Sequence, residues 1–345
     1  MIIVLKKFFE GLFKIAKWAL IFLLTLSWAS GFIDPKVYWP ASFFSLLFPY
    51  LYVSGVLVAS IGLLLKNHKA WLVMLLLVLF SGTFRKSFFN ISISSNSVDG
   101  LALVTHNIGS SLSKNKKPEW KFYKSMNADI YCFQEWNARP AIKLIQDSLL
   151  KTYYTTLKLL NNPRPIFSKY PVIRQGEIIS KAKGNGSTWA DIVWKGDTIR
   201  IFNIHLASNR ISGQTEDLIQ TKTIRSGNAW QRIKGVLIRY RDALLIRTDQ
   251  SKELAQRINK SPYPVIIAGD FNDTPSSFVY RLLQKGMHDS FLEAGSGMGY
   301  TYAGRLPFLH IDHVLHQDRF ICLKLQIKRV NYSDHYPVKV VLNKK

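Results

Sequence analysis

Asp270 and Asn272 stand two residues apart where the apolar run Val265-Ile266-Ile267-Ala268-Gly269 gives out. A β-branched run of this kind reads as a buried strand. Side chains two apart on extended chain share one side, so a carboxylate and an amide leave the sheet together. Open α/β sheets keep their chemistry at strand ends. Alone, the pair is also what a strand entering a turn looks like, and its weight comes from repetition.

The arrangement recurs along the chain. Leu103-Val104-Thr105-His106-Asn107 ends in Asn107, and Ile130-Tyr131-Cys132-Phe133-Gln134 runs into Glu135. Ile201-Phe202-Asn203-Ile204-His205 ends in His205, and Ile311-Asp312-His313-Val314 sets Asp312 between apolar neighbours. Ser333-Asp334-His335 precedes the final apolar run. Amides, carboxylates and imidazoles gathered at strand ends suit a hard divalent cation. Carboxylate and amide oxygens hold Mg²⁺, or Mn²⁺ in its place, while imidazoles and a general base handle a phosphate oxyanion and a water. Zinc fits less well, because the sequence has no Cys cluster and no short-spaced His pair on a helix. No Gly-x-Ser-x-Gly marks a serine nucleophile, and no Walker-type glycine loop is present. Cys132 and Cys322 sit in apolar runs and read as buried free thiols.

The elements that must position these residues read as strands over Leu101–Asn107, Ile130–Gln134, Asp191–Trp194, Thr198–Ile204, Val265–Ala268, Ile311–Leu315, Phe320–Ile327 and Val338–Leu342. Helical patterns cover Trp120–Met126, Arg139–Leu150 and about Thr215 to Ile258. Gly196-Asp197 makes a short hairpin turn. Strands and helices mix, and short links permit antiparallel pairs, so the expected fold is an α/β sandwich with mixed sheets.

The first 89 residues differ in kind. Trp18–Ile33, Val37–Leu65 and Ala70–Phe84 carry no charged residue and run for 16, 29 and 15 residues. We expect residues 1–89 to form a membrane segment with two or three transmembrane helices, 90–100 a linker, and 101–345 the catalytic domain. Lys6, Lys7, Lys14 and Lys17 precede the first window, and Lys66 and Lys69 separate the second from the third. The positive-inside rule then puts the N-terminus in the cytoplasm. Three spans place the catalytic domain outside the inner (plasma) membrane, and two leave it in the cytoplasm; three is the favoured reading. Arg85 and Lys86 after the third window run against export. The chain has a formal net charge of +24, of which residues 90–345 carry +17 from 37 Lys+Arg and 20 Asp+Glu. Such a field favours phosphate-bearing partners: nucleic acid, anionic headgroups or phosphorylated small molecules. Lys222, Arg225, Arg232, Lys234, Arg239, Arg241 and Arg247 are candidates to line a substrate groove or face headgroups, and equally to form a solvated helix face. No obligate protein partner is inferred.

In this order and with these neighbours, His106-Asn107, Gln134-Glu135, Asn203-Ile204-His205-Leu206, Gly269-Asp270-Phe271-Asn272, Ile311-Asp312-His313 and Ser333-Asp334-His335 resemble the endonuclease/exonuclease/phosphatase superfamily. That group includes DNase I-like nucleases, abasic-site endonucleases, inositol-polyphosphate 5-phosphatases and neutral sphingomyelinases. The resemblance runs from Leu101 to the C-terminus and, with the apolar segment, describes a membrane-anchored bacterial member. It implies a four-layer sandwich, two mixed β-sheets face to face with helices outside, and metal-dependent hydrolysis of a phosphoester. Its pattern makes Glu135 the main Mg²⁺ ligand with Asn107 beside it and Asp334 as a second contact. Asp270 orients or deprotonates the attacking water, Asn272 holds a phosphate oxygen, and His205 touches the scissile phosphate. His335 stabilises developing charge or moves a proton, and Asp312 holds its tautomer.

Two positions depart from the pattern. His310 and His313 stand where the family often has Arg and Tyr; they read as structural neighbours of the site, and the alternative is that imidazoles there tune pH dependence. The substrate is expected to be a phosphodiester, in nucleic acid or a phospholipid headgroup. Tyr300, Tyr302 and Phe308 are candidates to flank a lipid or stack on a base, and equally to be core. The rival reading is a non-catalytic membrane protein that binds anionic lipid or polymer through its charge.

Overall fold

The computed structural model of the chain describes residues 2–92, 99–109, 120–136, 140–157, 163–179, 185–208, 229–304 and 308–345. The apolar N-terminal runs form helices α1 (Ile2–Ala29), the one-turn α2 (Pro35–Tyr38), α3 (Ala41–Leu64) and α4 (Trp71–Ser87). Asp34 starts α2 by accepting from Lys36 N at 2.9 Å, and Pro35 takes the first helical position, where its missing N–H leaves nothing unpaired. Leu24, Phe48, Tyr52, Ala59, Val73, Leu77 and Phe80 join α1, α3 and α4. Phe22, Leu57, Leu64, Val78 and Leu79 point outward and are exposed. Helices apolar inside and out belong in a bilayer or a large core. Glu10–Phe32 and Ala41–Leu64 are long and apolar enough to cross a membrane. The 17 residues of α4 reach only ~26 Å at the usual helical rise.

The remaining elements follow as β1 (Phe89–Asn90), β2 (Leu101–Asn107), α5 (Trp120–Met126), β3 (Ile130–Gln134), α6 (Pro140–Leu149), β4 (Tyr154–Thr155), β5 (Ile166–Ser168), β6 (Val172–Ile179), β7 (Gly186–Trp194) and β8 (Asp197–His205). Then come α7 (Ala229–Asn259), β9 (Val265–Asp270), α8 (Phe278–Gln284), β10 (His288–Asp289), α9 (Ser290–Ala294), β11 (Gly297–Met298), β12 (Asp312–His316), β13 (Phe320–Ile327) and β14 (Val338–Lys344). They make two six-stranded sheets, β13-β14-β2-β3-β5-β4 and β10-β12-β9-β8-β7-β6. β2–β3 and β8–β9 pair in parallel, and the other pairs are antiparallel. Both sheets are therefore mixed, as expected.

Period-two alternation gives each sheet two apolar faces. Leu103, Cys132, Ile192, Trp194, Ile201, Ile266 and Val340 fill the space between the sheets. Phe202, Ile204 and Ile267 face outward onto Leu254 and Ile258 of α7 and Val279 and Leu283 of α8. Val104, Tyr131 and Phe133 face α5 and α6 through Tyr123, Ile142 and Ile145. The result is the four-layer sandwich. Gly269 has φ +146°, and a Cβ there would run into Ile204 O, so only glycine lets β9 lie this close to β8.

Some boundaries move. The expected linker is shorter at its start, because Phe89 and Asn90 pair with Met298 and Gly297. The long helix begins at Ala229; the earlier part of the expected span, with Lys222 and Arg225, lies outside the described residues. Short β4, β5, β10 and β11 carry too few residues for a pattern, and β6 interrupts its apolar residues with Arg174, Gln175, Gly176 and Glu177.

The helices are docked on the sandwich through one end. Ser276 Oγ donates to Ser45 O at 2.6 Å, and Tyr240 Oη donates to Ser42 O at 3.1 Å. Asp34 pairs with Lys252 at 2.5 Å, and Lys36 pairs with Asp249. At the end of α4, Lys86 reaches Gln284 at 3.0 Å and its carbonyl meets His310 Nδ1 at 2.8 Å. Asn90 Nδ2 reaches Phe291 O at 2.8 Å and Gly295 O at 2.9 Å. The ends of α1 and α4 and the start of α3 thus meet the domain together.

Candidate active site

Strand register assembles the site. In β8–β9 His205 lies opposite Asp270, and in β9–β12 Asp270 lies opposite Asp312. Three neighbouring strands therefore set His205, Asp270 and Asp312 in one row. In the facing sheet β2 and β3 end together, with Asn107 opposite Gln134 and Glu135 next in the chain. His335 stands just before β14.

Asp270, Asp312, Asn107, His205 and His335 are buried and Glu135 is partly exposed. Buried polar groups need partners, and here they serve one another. Asn107 Nδ2 donates to Asp270 Oδ2 at 3.0 Å and to Glu135 Oε1 at 3.3 Å. Asn272 donates its backbone N–H to Asp270 Oδ1 at 2.7 Å and its amide to Asp270 Oδ2 and Leu206 O at 3.0 Å each. His205 Nε2 lies 3.7 Å from Asp270 Oδ2 and 3.8 Å from Glu135 Oε1. Asp312 holds His335 Nδ1 at 2.9 Å, and His335 Nε2 lies 3.8 Å from Asp270 Oδ2. Glu135 and Asn272 both have positive φ, +54° and +51°; such strained backbone concentrates at functional sites.

Burial raises the Asp270 carboxyl above the usual carboxylate range, and the Asp312 charge adds to this against His335 and the two asparagines. Burial by itself would lower His335, but Asp312 and then Asp270 outweigh it, so its imidazole is held protonated above the usual histidine range. A carboxyl of raised proton affinity therefore faces an imidazolium across the site.

The donor set fits a hard cation. The carboxylates of Asp270 and Glu135 converge on the amide hydrogens of Asn107, so that amide stands where positive charge is wanted, and every group there offers oxygen or can turn one inward. Asp270, Asp312 and His335 also bring one ligand atom each within 4.8 Å of one another, but Asp312 and the His335 Nδ1 it holds are already committed to each other. Asp334 is half-buried beside His335, and Ser333 Oγ fixes this corner by donating to Asn107 O at 2.8 Å.

Sequence reasoning assigned no task to Gln134 and Asn203. Gln134 Nε2 donates to Asn203 Oδ1 at 2.7 Å, and Asn203 Nδ2 donates to Phe133 O at 2.8 Å. This buried bridge ties the two sheets directly beneath the row of site residues. Polar residues at inward positions of apolar strands were the available signal. Tyr302 was expected near the site and its ring lies 5.2 Å from that of His335; Tyr300 and Phe308 pack on each other instead, 5.6 Å apart.

His310 and His313 do other work. His310 binds the end of α4, as described above. His313 packs on Phe271 and Tyr280, with Nε2 3.3 Å from Asp273 O. Burial lowers both imidazoles. Arg247 is wholly buried and pairs with Asp273 at 3.1 Å; it lines neither a groove nor a headgroup surface.

Comparisons with known proteins bear on the family and the fold. The family model described as Endonuclease/Exonuclease/phosphatase family matches residues 89–335, and a model for a domain of unknown function matches residues 7–87. No curated protein matches the chain. Among solved structures, an endonuclease/exonuclease/phosphatase from Bacteroides vulgatus superposes with a TM-score of 0.51 at 16% identity, covering 71% of this chain and 99% of that one. The Bacteroides thetaiotaomicron family protein gives 0.50 at 16% identity, over 70% and 97%. D. rerio TDP2 complexed with single strand DNA product gives 0.50 at 15%, over 71% and 100%. These likenesses concern the fold. With the family model spanning nearly all of the sandwich, the chain belongs to the endonuclease/exonuclease/phosphatase family, and is a hydrolase of phosphate esters.

Proposed function

We propose that the chain is a membrane-anchored, Mg²⁺-dependent phosphodiesterase whose attacking water is activated by Asp270. The observation that carries this reading is the placement of Asp270. It is buried, held on both oxygens by Asn107 and Asn272, and faces a protonated His335 at 3.8 Å. A general base needs a fixed lone pair and an affinity for protons near the working pH. Asn272 fixes the carboxylate and burial raises its proton affinity. His335 offers its Nε2 proton to charge developing on a phosphorane oxygen or to the leaving oxygen, while Asp312 keeps Nδ1 protonated and the ring in place. His205 stands beside both carboxylates and is assigned to the scissile phosphate.

Glu135 and Asn107 would hold the cation, with Asp334 as a further contact. Bound Mg²⁺ would supply charge neutralisation on the phosphate. The same cluster argues against the rival non-catalytic binder, which needs charge but no base and imidazolium set face to face.

Support for membrane anchoring comes from the outward apolar residues of α1 and α3 and from their single docked end. The α1–α3 loop meets the catalytic domain, and so does the end of α4, while the N-terminus and Lys66–Lys69 belong to the opposite end. That order favours three crossings, with the basic loops inside and the domain outside. Arg85 and Lys86, which run against export by charge, have structural tasks: Arg85 Nε donates to Asn90 Oδ1 at 2.9 Å and Lys86 holds Gln284.

The test uses detergent-purified full chain and bis-(p-nitrophenyl) phosphate. Hydrolysis should require Mg²⁺ or Mn²⁺, stop with chelator and fail in Asp270→Asn. Activity that survives Asp270→Asn refutes the mechanism. A periplasm-active reporter after Lys345 should be active; a reporter that works only in the cytoplasm refutes the three-span placement.

A further inference from the structure

The first turns of α7 carry an apolar stripe that leaves the protein uncovered. At one turn spacing, Tyr240 and Leu244 are buried, the Tyr240 ring lying 4.6 Å from Phe43 and its hydroxyl on Ser42 O. The same stripe continues N-terminally through Leu237 to Ile233 and Trp230, since residues three and four apart share a helix face. Ile233 is 50% exposed and Trp230 70% exposed.

What lies under the stripe is set by where the helix runs. Tyr240 touches the first turn of α3, Asp249 pairs with Lys36, and Lys252 pairs with Asp34. These contacts follow the loop between α1 and α3 over twelve residues of α7, ~18 Å of helix. That loop joins the two apolar helices at their docked end, so α7 runs across the helix ends instead of pointing away from them. Val37 and Tyr38 in the loop are exposed beside it. The ten residues from Tyr240 back to Trp230 extend ~15 Å further along the same line. Lys234, exposed, lies on one flank of the stripe, and Arg241 on the same flank is paired with Asp242 at 2.8 Å. Trp beside Lys and Arg on an amphipathic helix is the composition of the membrane–water boundary.

We propose that Ala229–Tyr240 is an interfacial helix: its Trp230–Ile233–Leu237 stripe sinks into the headgroup layer of the bilayer that α1 and α3 cross, with Lys234 on the lipid phosphates. This rests on the reading that α1 and α3 span a membrane. It adds a second seat for the domain, which with the docked loop fixes the height and tilt of the active site over the lipid surface.

The sequence has two cysteines, and both are buried, so a cysteine added at the stripe is the accessible thiol for labelling. Full-length Ile233→Cys and Trp230→Cys, each labelled with a nitrobenzoxadiazole dye, are placed in nanodiscs of phosphatidylglycerol and phosphatidylcholine. Gln231→Cys, on the exposed opposite flank, is the control. Co-migration with lipid reports on the spans alone. The dye at 233 and 230 should be quenched by lipid carrying a shallow doxyl label and shielded from aqueous iodide, while the dye at 231 should show the reverse. Equal iodide quenching at 231 and 233 in chain that co-migrates with lipid overturns the proposal. So does protection at 233 that ignores the doxyl lipid but accompanies disulfide cross-linking between two copies, which would make the stripe a dimer contact. The two stripe variants differ in the residue lost, so a folding defect in one leaves the other to decide.

Discussion

Asp312 grips His335 with both carboxylate oxygens, 2.9 and 3.1 Å from Nδ1, and so turns Nε2 toward Asp270. The grip is electrostatic as well as geometric, since a buried imidazole keeps its extra proton only beside negative charge. Asp312→Asn preserves size and hydrogen bonding but removes that charge. His335 should then hold its extra proton less tightly, with Asp270 left as its nearest negative charge, and kcat should fall by ~10²–10⁴-fold, the usual worth of a positioned proton donor. Initial rates at saturating Mg²⁺ measure this, with the melting temperature as a folding control. Full activity in a folded Asp312→Asn would mean that charge on His335 is not used.

Glu135→Gln separates cation binding from proton transfer. The amide keeps the side chain's shape but removes one of the two charges that converge on Asn107. Half-saturating Mg²⁺ should rise by at least ~10-fold, since even indirect partners of a bound metal are worth that much. Calorimetric Mn²⁺ binding should weaken in parallel. Asp270→Asn should not be rescued by added metal, which distinguishes the two residues. Unchanged Mn²⁺ affinity in Glu135→Gln would remove Glu135 from the ligand set.

Why these residues were readable from sequence, and others were not, has a physical basis. Asn107, Glu135, His205 and Asp270 end strongly apolar strands, and a strand end is a place that sequence marks. Register then brings them together, and register is set by pairing that no single strand reveals. The Asp312–His335 pair was legible only through resemblance, because 23 residues separate its members. The Gln134–Asn203 bridge looked like two polar interruptions; its meaning needs both sheets at once. The docking of the N-terminal helices was hidden for the same reason. Lys86, Asn90 and His310 look like ordinary surface residues until α4 is packed on the domain.

His313 has the structural place that its sequence position suggests, and packing removes the alternative, a part in the pH dependence. It follows Asp312 in an extended strand, so its ring faces the opposite side, against Phe271 and Tyr280. Burial lowers its proton affinity well below that of a free histidine, so it stays neutral wherever the enzyme works. His313→Tyr should therefore leave both limbs of the kcat/KM profile in place. A displaced limb in this variant would return the imidazole to the reaction.

Gly31, at the turn after α1, packs closely on the segment that leads into α8. A Cβ there would run into Ser276 O and come within 2.5 Å of Arg281 Nε. Arg281 can swing aside, although its guanidinium lies 4.1 Å from the Phe32 ring and would give up that stacking. Ser276 O cannot, because it is backbone in a loop whose side chain is already held by Ser45 O at 2.6 Å. Gly31→Ala should thus cost about 1–3 kcal/mol, the usual range for overpacking, and the cost should fall on docking and not on the sandwich core. The expected signature is faster amide exchange across Ser276–Arg281 with β2 and β3 unchanged. Activity on a small soluble diester should persist, because strand register fixes His205 and Asp270 and Asp312 fixes His335, and the helices hold none of them. Slower exchange, or loss of the sheet's protection together with the loop's, would show that the helices and the sandwich fold as one unit and are not two bodies joined at this surface.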